Sequence, residues 1–259
     1  MVLTRRFRLT VAYEGTAYGG WQVQEGVATV QGVLERAAED VNGEPTRILG
    51  AGRTDAGTHA RGQVALFPTG RDLAAHRVPR ALGAYLPEDV VVTAAVEVGE
   101  EFHPVRDAIA RHYRYTLKQA LHDDPFDRRF VHRIATPLDL RAMALAAAHF
   151  PGRRDFAPFQ NEGSPRRETV RTLQRLDLAV EGDYIHIDIT ADGFLYGMAR
   201  NLAGTLMRVG QGLLDPAAIP AALAACDRSL GGPTLPAGGL CLMEVRYPPT
   251  PGSIPGGNS

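Results

Sequence analysis

Residues 7–13 have the sequence Phe-Arg-Leu-Thr-Val-Ala-Tyr, in which apolar side chains occupy every second position. This alternation is typical of a strand with one buried face. A helical pattern follows, for which Thr29 is a suitable N-cap and Asn42-Gly43 a suitable end. After a second, shorter helix, an apolar and β-branched strand is predicted over 90–98. The first part of the chain is therefore predicted to alternate between strands and helices.

The second half of the chain repeats this alternation, which favours two comparable α/β units over a single barrel. Its predicted elements are a strand at 111–117, a helix capped by Asp139, a hairpin over 169–190, a helix from about Gly193 to Gly210 and a closing strand at 240–247.

These patterns divide the chain into an N-terminal α/β domain over 1–104 and a C-terminal α/β domain over 105–247. Residues 248–259 are rich in Pro, Gly and Ser and are predicted to form a disordered tail.

The charge of the chain is balanced overall but unevenly distributed. Its 259 residues include 28 basic and 29 acidic side chains, which gives no sign of a nucleic-acid partner. Residues 105–175, the basic tract, carry 14 basic against 8 acidic side chains, so the rest of the chain has a net charge of −7. Lys118 is the only lysine, and Arg-Arg pairs occur at 128/129, 153/154 and 166/167. The tract suits phosphate binding, and a solvated surface is the alternative.

The two cysteines, Cys226 and Cys241, are too few and too far apart for a disulfide framework or a zinc site. A reducing compartment fits this usage. No apolar run approaches the ~18 residues of a membrane helix, and the N-terminal apolar stretch is too interrupted for a signal peptide. The sequence predicts a soluble, cytoplasmic protein with no membrane association.

The densest group of reactive side chains lies in residues 50–62, Gly-Ala-Gly-Arg-Thr-Asp-Ala-Gly-Thr-His-Ala-Arg-Gly. A P-loop would need a lysine here, and a dinucleotide-binding fingerprint would need glycine in place of Asp55. What remains is a carboxylate among glycines, two residues after Arg53, whose charge favours the ionised form. Such a group suits a nucleophile or a stabiliser of positive charge. An Asx turn with a surface ion pair is the alternative.

A metal site in this loop is not supported by the surrounding residues. His59 lies four residues after Asp55, but no third ligand is near in sequence and no H-E-x-x-H motif occurs. The sequence therefore does not predict a metal site here.

Two further stretches suggest contacts with a base or a phosphate. In a strand over 111–115, Arg111, Tyr113 and Tyr115 share one face, which suits base stacking and phosphate binding or, alternatively, core packing. In the helix predicted from Gly193, three glycines share a face with Arg200. Each glycine costs about 1 kcal/mol in a helix, so a close neighbour is expected there. Arg200 is then either held against a carboxylate or phosphate, or directed to solvent.

Together these stretches resemble the TruA family of tRNA pseudouridine synthases. Gly-Arg-Thr-Asp-Ala-Gly-x-His-Ala at 52–60 is similar to the family's catalytic motif, and residues 13–22 to its N-terminal signature. Phe102-His103 with the 111–115 strand resembles its second motif, and Met198-x-Arg200-Asn201 with Gly204 its third. The resemblance runs from about residue 7 to 247 in the family's order.

The resemblance implies an enzyme that converts uridine to pseudouridine at positions 38 to 40 in the anticodon arm of tRNA, without a metal or cofactor. It implies an α+β fold, in which two RRM-like domains share a continuous, mainly antiparallel sheet, and a homodimer. Carried over by position, Asp55 is the nucleophile, Tyr113 contacts the target base, and Arg53 and Arg200 pair with Asp55 or with the flipped nucleotide.

Two other functions fit the sequence less well. A non-catalytic RRM-like RNA-binding protein should carry an RNP1 pattern, but the nearest stretch, 61–67, lacks aromatic residues at the stacking positions. A glycosidase-like enzyme should carry paired carboxylates, and only Asp55 has a supporting context.

Overall fold

The structure is a computed structural model that describes residues 5–163, 168–226 and 232–249. Most of the predicted disordered tail, from residue 250 onward, lies outside the described residues, as does the Arg-Arg pair at 166/167.

The first half follows the predicted alternation of strands and helices. Thr29 caps the first helix by accepting a hydrogen bond from the Gly32 amide, and Gly43 ends it with a φ of 78°. The elements are β1 (Arg5–Tyr13), α1 (Val30–Asn42), β2 (Leu49–Gly50), β3 (His59–Thr69), α2 (Val78–Gly83) and β4 (Val90–Glu97).

The second half contains the predicted elements together with two further short strands, one on each side of its first helix in the chain. Asp139 caps its first helix through the Ala142 amide, and the long hairpin turns at Gly182, whose φ is 57°. The elements are β5 (Ala110–Gln119), β6 (His132–Ile134), α3 (Leu140–Ala147), β7 (Gly152–Asp155), β8 (Val170–Glu181), β9 (Tyr184–Ala191), α4 (Met198–Gly210), α5 (Ile219–Ala225) and β10 (Leu240–Arg246).

The ten strands found in the described residues belong to one sheet with the main order β4-β1-β3-β10-β5-β9-β8-β7, in which β2 also pairs with β3 and β6 with β5. The pairing is antiparallel except at β5–β6 and β3–β10. At β3–β10 the pairs are Cys241 with His59 and Leu242 with Ala60, so the last strand joins the two halves of the chain. The predicted α+β class with a continuous, mainly antiparallel sheet is confirmed.

The helix predicted from Gly193 was placed too early. Helix α4 begins at Met198, because Gly197 takes a φ of 73° that ends the preceding turn. Only part of the glycine face is therefore helical. The expected close neighbour exists at Gly204, where an added Cβ would lie 2.0 Å from the carbonyl oxygen of Pro233. This contact brings the segment that precedes β10 against α4.

One face of the sheet packs against the helices through a continuous apolar core. Phe7, Leu9 and Val11 of β1 are fully buried, as are Leu34 of α1 and Leu206 of α4. Among the described residues, none of the helices has the length and apolar character to cross a membrane.

Candidate active site

Asp55 lies at the start of a tight turn between β2 and β3. The amide of Thr58 donates a hydrogen bond of 3.1 Å to the Asp55 carbonyl, and Gly57 between them has a φ of 77°. A positive φ at this position of a β-turn favours glycine over residues with a side chain. The motif's glycine therefore fixes the backbone from which the Asp55 side chain projects.

The segment that follows β1 holds this turn in place. The hydroxyl of Tyr13 lies 2.8 Å from that of Thr54, and both side chains are buried. A Cβ on Gly15 would lie 2.0 Å from the carbonyl oxygen of Thr58, and one on Gly20 would lie 2.6 Å from that of Thr54. Two backbones thus pack directly against each other, which only glycine allows.

Arg200 of α4 is the direct partner of Asp55. Its Nη1 lies 3.2 Å from the Asp55 Oδ2, and its Nε donates a hydrogen bond of 2.6 Å to the Leu235 carbonyl. The side chains of Arg200 and Asp55 are 17% and 24% exposed. Burial raises the pKa of Asp55 above its ordinary value, while the charge and the hydrogen bond of Arg200 act to lower it. The result is a partly desolvated carboxylate held by one guanidinium.

Tyr113 lies in β5 and is almost fully buried. Its ring packs edge-to-face against Phe194, with centroids 4.8 Å apart. Burial raises the pKa of the Tyr113 hydroxyl, and the nearby Tyr13 and Asp55 raise it further, so the group stays neutral. Phe194 was not anticipated; its place just before α4, next to the predicted glycine face, was the only available signal.

Arg53 is separate from this cluster. Its side chain is exposed, and within the described parts of the chain no hydrogen bond or ion pair involves it. Of the two arginines that the resemblance offered as partners of Asp55, the structure brings Arg200 to the carboxylate and leaves Arg53 at the surface of the loop.

His59 connects the turn to its surroundings. Its Nδ1 accepts the Gly15 amide at 2.9 Å, and its Nε2 lies 2.8 Å from the Arg129 carbonyl. This pattern fits a neutral ring protonated on Nε2. Glu14, which sequence reasoning missed, lies 3.6 Å from both His59 and Arg129. His59 thus has a structural role, and no group of three metal-ligating side chains occurs among the described residues.

Arg111 and Tyr115, which were expected to form an RNA-binding face on β5, instead donate hydrogen bonds to backbone carbonyls of the chain itself. Arg111 donates hydrogen bonds of 2.8 Å to the carbonyls of Ala51 and Asp192. The hydroxyl of Tyr115, which is fully buried, donates to the Pro236 carbonyl at 2.9 Å. The core-packing alternative therefore holds for Tyr115, and Arg111 is hydrogen-bonded to the backbone of the loop that carries Asp55.

Several cations of the basic tract are also paired within the chain. Arg114 binds both carboxylate oxygens of Asp188 at 3.0 Å, Arg133 binds Asp123 at 2.8 Å, and Arg106 binds Asp107 at 3.0 Å. In contrast, Arg128, Arg141 and Arg153 are exposed, and no ion pair of theirs is found in the described part of the chain.

The fold and this site define a class of protein: an enzyme that works with a single carboxylate, flanked by a guanidinium and an aromatic ring, on a large α+β sheet. Comparison with known proteins narrows the class. The family model for tRNA pseudouridine synthase matches residues 9–105 and 146–248, and this chain belongs to that family.

Individual relatives agree with the family match. The tRNA pseudouridine synthase A of Pelobacter propionicus is 44% identical over 243 residues, which cover 94% of this chain and 100% of the relative. The tRNA pseudouridine synthase A of Geotalea daltonii is 43% identical over 243 residues, which again cover 94% of this chain and 100% of the relative. That of Moorella thermoacetica is 45% identical over 242 residues, which cover 93% and 98%. The resemblance stated from the motifs is thereby confirmed.

Proposed function

We propose that this protein isomerises uridine to pseudouridine in the anticodon arm of tRNA, at positions 38 to 40, with Asp55 as the catalytic carboxylate. The main support for the proposal is the partly buried ion pair between Asp55, in the motif loop, and Arg200 of α4. Family membership supports tRNA as the substrate.

The reaction accounts for a lone carboxylate. Breaking the C1′–N1 bond leaves positive charge on the ribose, which a nearby carboxylate stabilises or captures as an ester. The uracil then turns and forms a bond from C5 to C1′; C5 loses its proton, and N1 gains one. Atoms and electrons balance within the substrate, so the conversion needs no redox partner or second substrate.

Arg200 and Tyr113 have complementary roles in this proposal. Arg200 orients the Asp55 carboxylate through Nη1 while its Nε is held by the Leu235 carbonyl. Tyr113 contacts the uracil and gives the detached ring a surface on which to turn, since its side chain is buried and close enough to Asp55 for that carboxylate to raise the pKa of its hydroxyl. The target base must first be flipped out of its stack, at a cost of a few kcal/mol. The exposed Arg53 contacts a phosphate of that flipped nucleotide.

We also propose that residues 1–104 and 105–247 act as two domains, because Asp55 comes from the first and Tyr113 and Arg200 from the second. We further propose a cytoplasmic homodimer. The free cysteines Cys226 and Cys241 fit a reducing compartment, and a dimer brings two basic tracts within reach of one tRNA. Sedimentation of the purified protein tests the dimer, and cell fractionation tests the compartment.

The central experiment is conversion of unmodified tRNA by the purified protein without added metal, measured as pseudouridine formed. Asp55→Ala should still bind tRNA but lose activity by on the order of 10⁴-fold or more, as expected for removal of a nucleophile. Asp72→Ala, which removes a fully exposed carboxylate paired with Arg5, is the matched control and should keep wild-type activity.

Appreciable turnover by Asp55→Ala would contradict the assignment of the catalytic residue. Tight binding of tRNA with no turnover by the wild-type protein would instead favour the non-catalytic RNA-binding function.

A further inference from the structure

The loop between β5 and β6, residues 120–131, carries the most exposed large apolar side chain among the described residues. Phe126 is 91% exposed, and Leu121 in the same loop is 75% exposed. A single exposed apolar side chain needs no explanation by itself. Three further features of this loop, however, indicate a role for Phe126: its hydrogen-bonded backbone, its position beside the candidate site and its charged side chains.

The loop backbone is braced on both sides of Phe126. The carboxylate of Asp124 accepts the Phe126 amide at 3.0 Å, and its carbonyl accepts the Arg128 amide at 2.9 Å. From β5, the almost buried Lys118 donates hydrogen bonds to Asp127 at 2.5 Å and to Asp124 at 3.3 Å. The only lysine of the chain therefore fixes the turn that holds the Phe126 ring in solvent.

The same loop borders the candidate active site. The Arg129 carbonyl lies 2.8 Å from the Nε2 of His59, four residues after Asp55, and the Phe130 ring lies 4.9 Å from the His59 ring. The loop is thus joined through His59 to the segment that carries Asp55.

One cation of the loop, Arg128, is placed to bind an anionic partner. Its acidic side chains are already used: Asp123 pairs with Arg133, and Asp124 and Asp127 pair with Lys118. Arg128, two residues after Phe126, is exposed and has no ion pair within the described residues. An aromatic ring beside an available guanidinium suits a nucleobase and its phosphate better than an apolar protein surface.

We propose that Phe126 stacks on an unpaired base of the RNA substrate next to the target uridine, while Arg128 contacts the adjoining phosphate. This inference rests on the proposed function, because it takes the substrate to be the anticodon arm. Phe126 is then a positioning residue, which acts on binding and not on the reacting atoms.

The test compares Phe126→Ala, Phe126→Tyr and Phe126→Leu for binding and turnover of an unmodified anticodon stem-loop RNA. Loss of one stack should weaken binding by roughly tenfold or more. We expect that loss for alanine, recovery to within about twofold for tyrosine, and little recovery for leucine. The effect should appear in KM, with kcat at saturating RNA nearly unchanged. Leu121→Ala, the matched control in the same loop, should bind like the wild type.

Phe126→Trp provides a direct readout, since the only other tryptophan, Trp21, is buried. Stacking predicts that the added fluorescence is quenched when the RNA binds, even if no pseudouridine is formed. Failure of the proposed function and failure of this inference are therefore distinguishable.

Three results would overturn the inference. They are unchanged RNA affinity in Phe126→Ala, full recovery by leucine, and conversion of an oligomer to a monomer by Phe126→Ala in sedimentation, which would identify a second copy as the occupant.

Discussion

Replacing Arg200 with methionine tests the electrostatic reasoning about the site. The substitution keeps much of the side-chain volume but removes the guanidinium that lies 3.2 Å from Asp55. Two unit charges about 4 Å apart interact by about 4 kcal/mol at an effective dielectric constant of 20. The carboxylate is 24% exposed, so screening reduces this to roughly 1.5–3 kcal/mol. Loss of this interaction raises the pKa of Asp55 further above its ordinary value.

The sign of the effect on activity follows from the required protonation state. Asp55 must be ionised to stabilise positive charge, so activity is lost as the pH falls through its pKa. Burial already raises the pKa of Asp55, and removal of Arg200 raises it further. The acidic limb of kcat/KM should therefore move to higher pH, and the mutant should be relatively more active at pH 8 than at pH 6.

The measurement is a pH profile of kcat/KM on unmodified tRNA for the wild type, Arg200→Met and Arg208→Met. Arg208 lies two turns further along α4 and serves as the matched control, whose profile should follow the wild type. An equal loss of activity at every pH in Arg200→Met, with no shift of the limb, would refute the reasoning. Thermal unfolding of both variants separates this effect from loss of the fold.

The remaining predictions concern the fold and RNA binding. Gly204→Ala should lower the free energy of unfolding by more than about 1 kcal/mol, because the added Cβ would lie 2.0 Å from a facing carbonyl oxygen. The control Gly83→Ala, at the end of α2, places its Cβ in open space and should leave the free energy of unfolding nearly unchanged. Burial by itself would raise the pKa of Asp188, but hydrogen bonds from its histidine and arginine partners lower it to about 2. Its depressed pKa stabilises the fold above the unfolded value near 4, and this contribution is lost as the pH falls to about 2. Asp188→Asn should therefore cost roughly 2 kcal/mol at pH 7 and flatten the acid dependence of denaturant unfolding, whereas Asp72→Asn, at a fully exposed carboxylate, should do neither. Affinity for tRNA should fall steeply with salt if cations of the basic tract contact phosphates, and a flat response in titrations between 50 and 200 mM salt would contradict this.

Local patterns in the sequence determined the boundaries of most elements. The alternation in residues 7–13 predicted β1, and side-chain caps at Thr29 and Asp139 marked the helix starts, because such caps act over three residues. The start of α4 was misplaced, since Gly197 ends a turn through a positive φ that its sequence pattern does not distinguish from a helical glycine.

The motifs also identified the candidate site residues without showing which of them meet. Arg53 is two residues from Asp55 and Arg200 is 145 residues away, yet the ion pair forms with Arg200. The sequence predicted that Arg111 binds a phosphate, and the structure instead uses it on backbone carbonyls. Two side chains that are close in sequence can point in different directions when the backbone turns between them. Which side chains meet in the site therefore depends on contacts between elements that are distant in the chain.

By itself, the sequence predicted the family, most of the strands and helices in their order, and Asp55 as the candidate catalytic carboxylate, because these depend on residue types at fixed short spacings. The tertiary structure decided three further points. It placed β10 between β3 and β5, brought Arg200 to Asp55, and braced residues 120–131 beside His59. Each of these results from packing and hydrogen bonds between segments far apart in the chain, which no local pattern encodes.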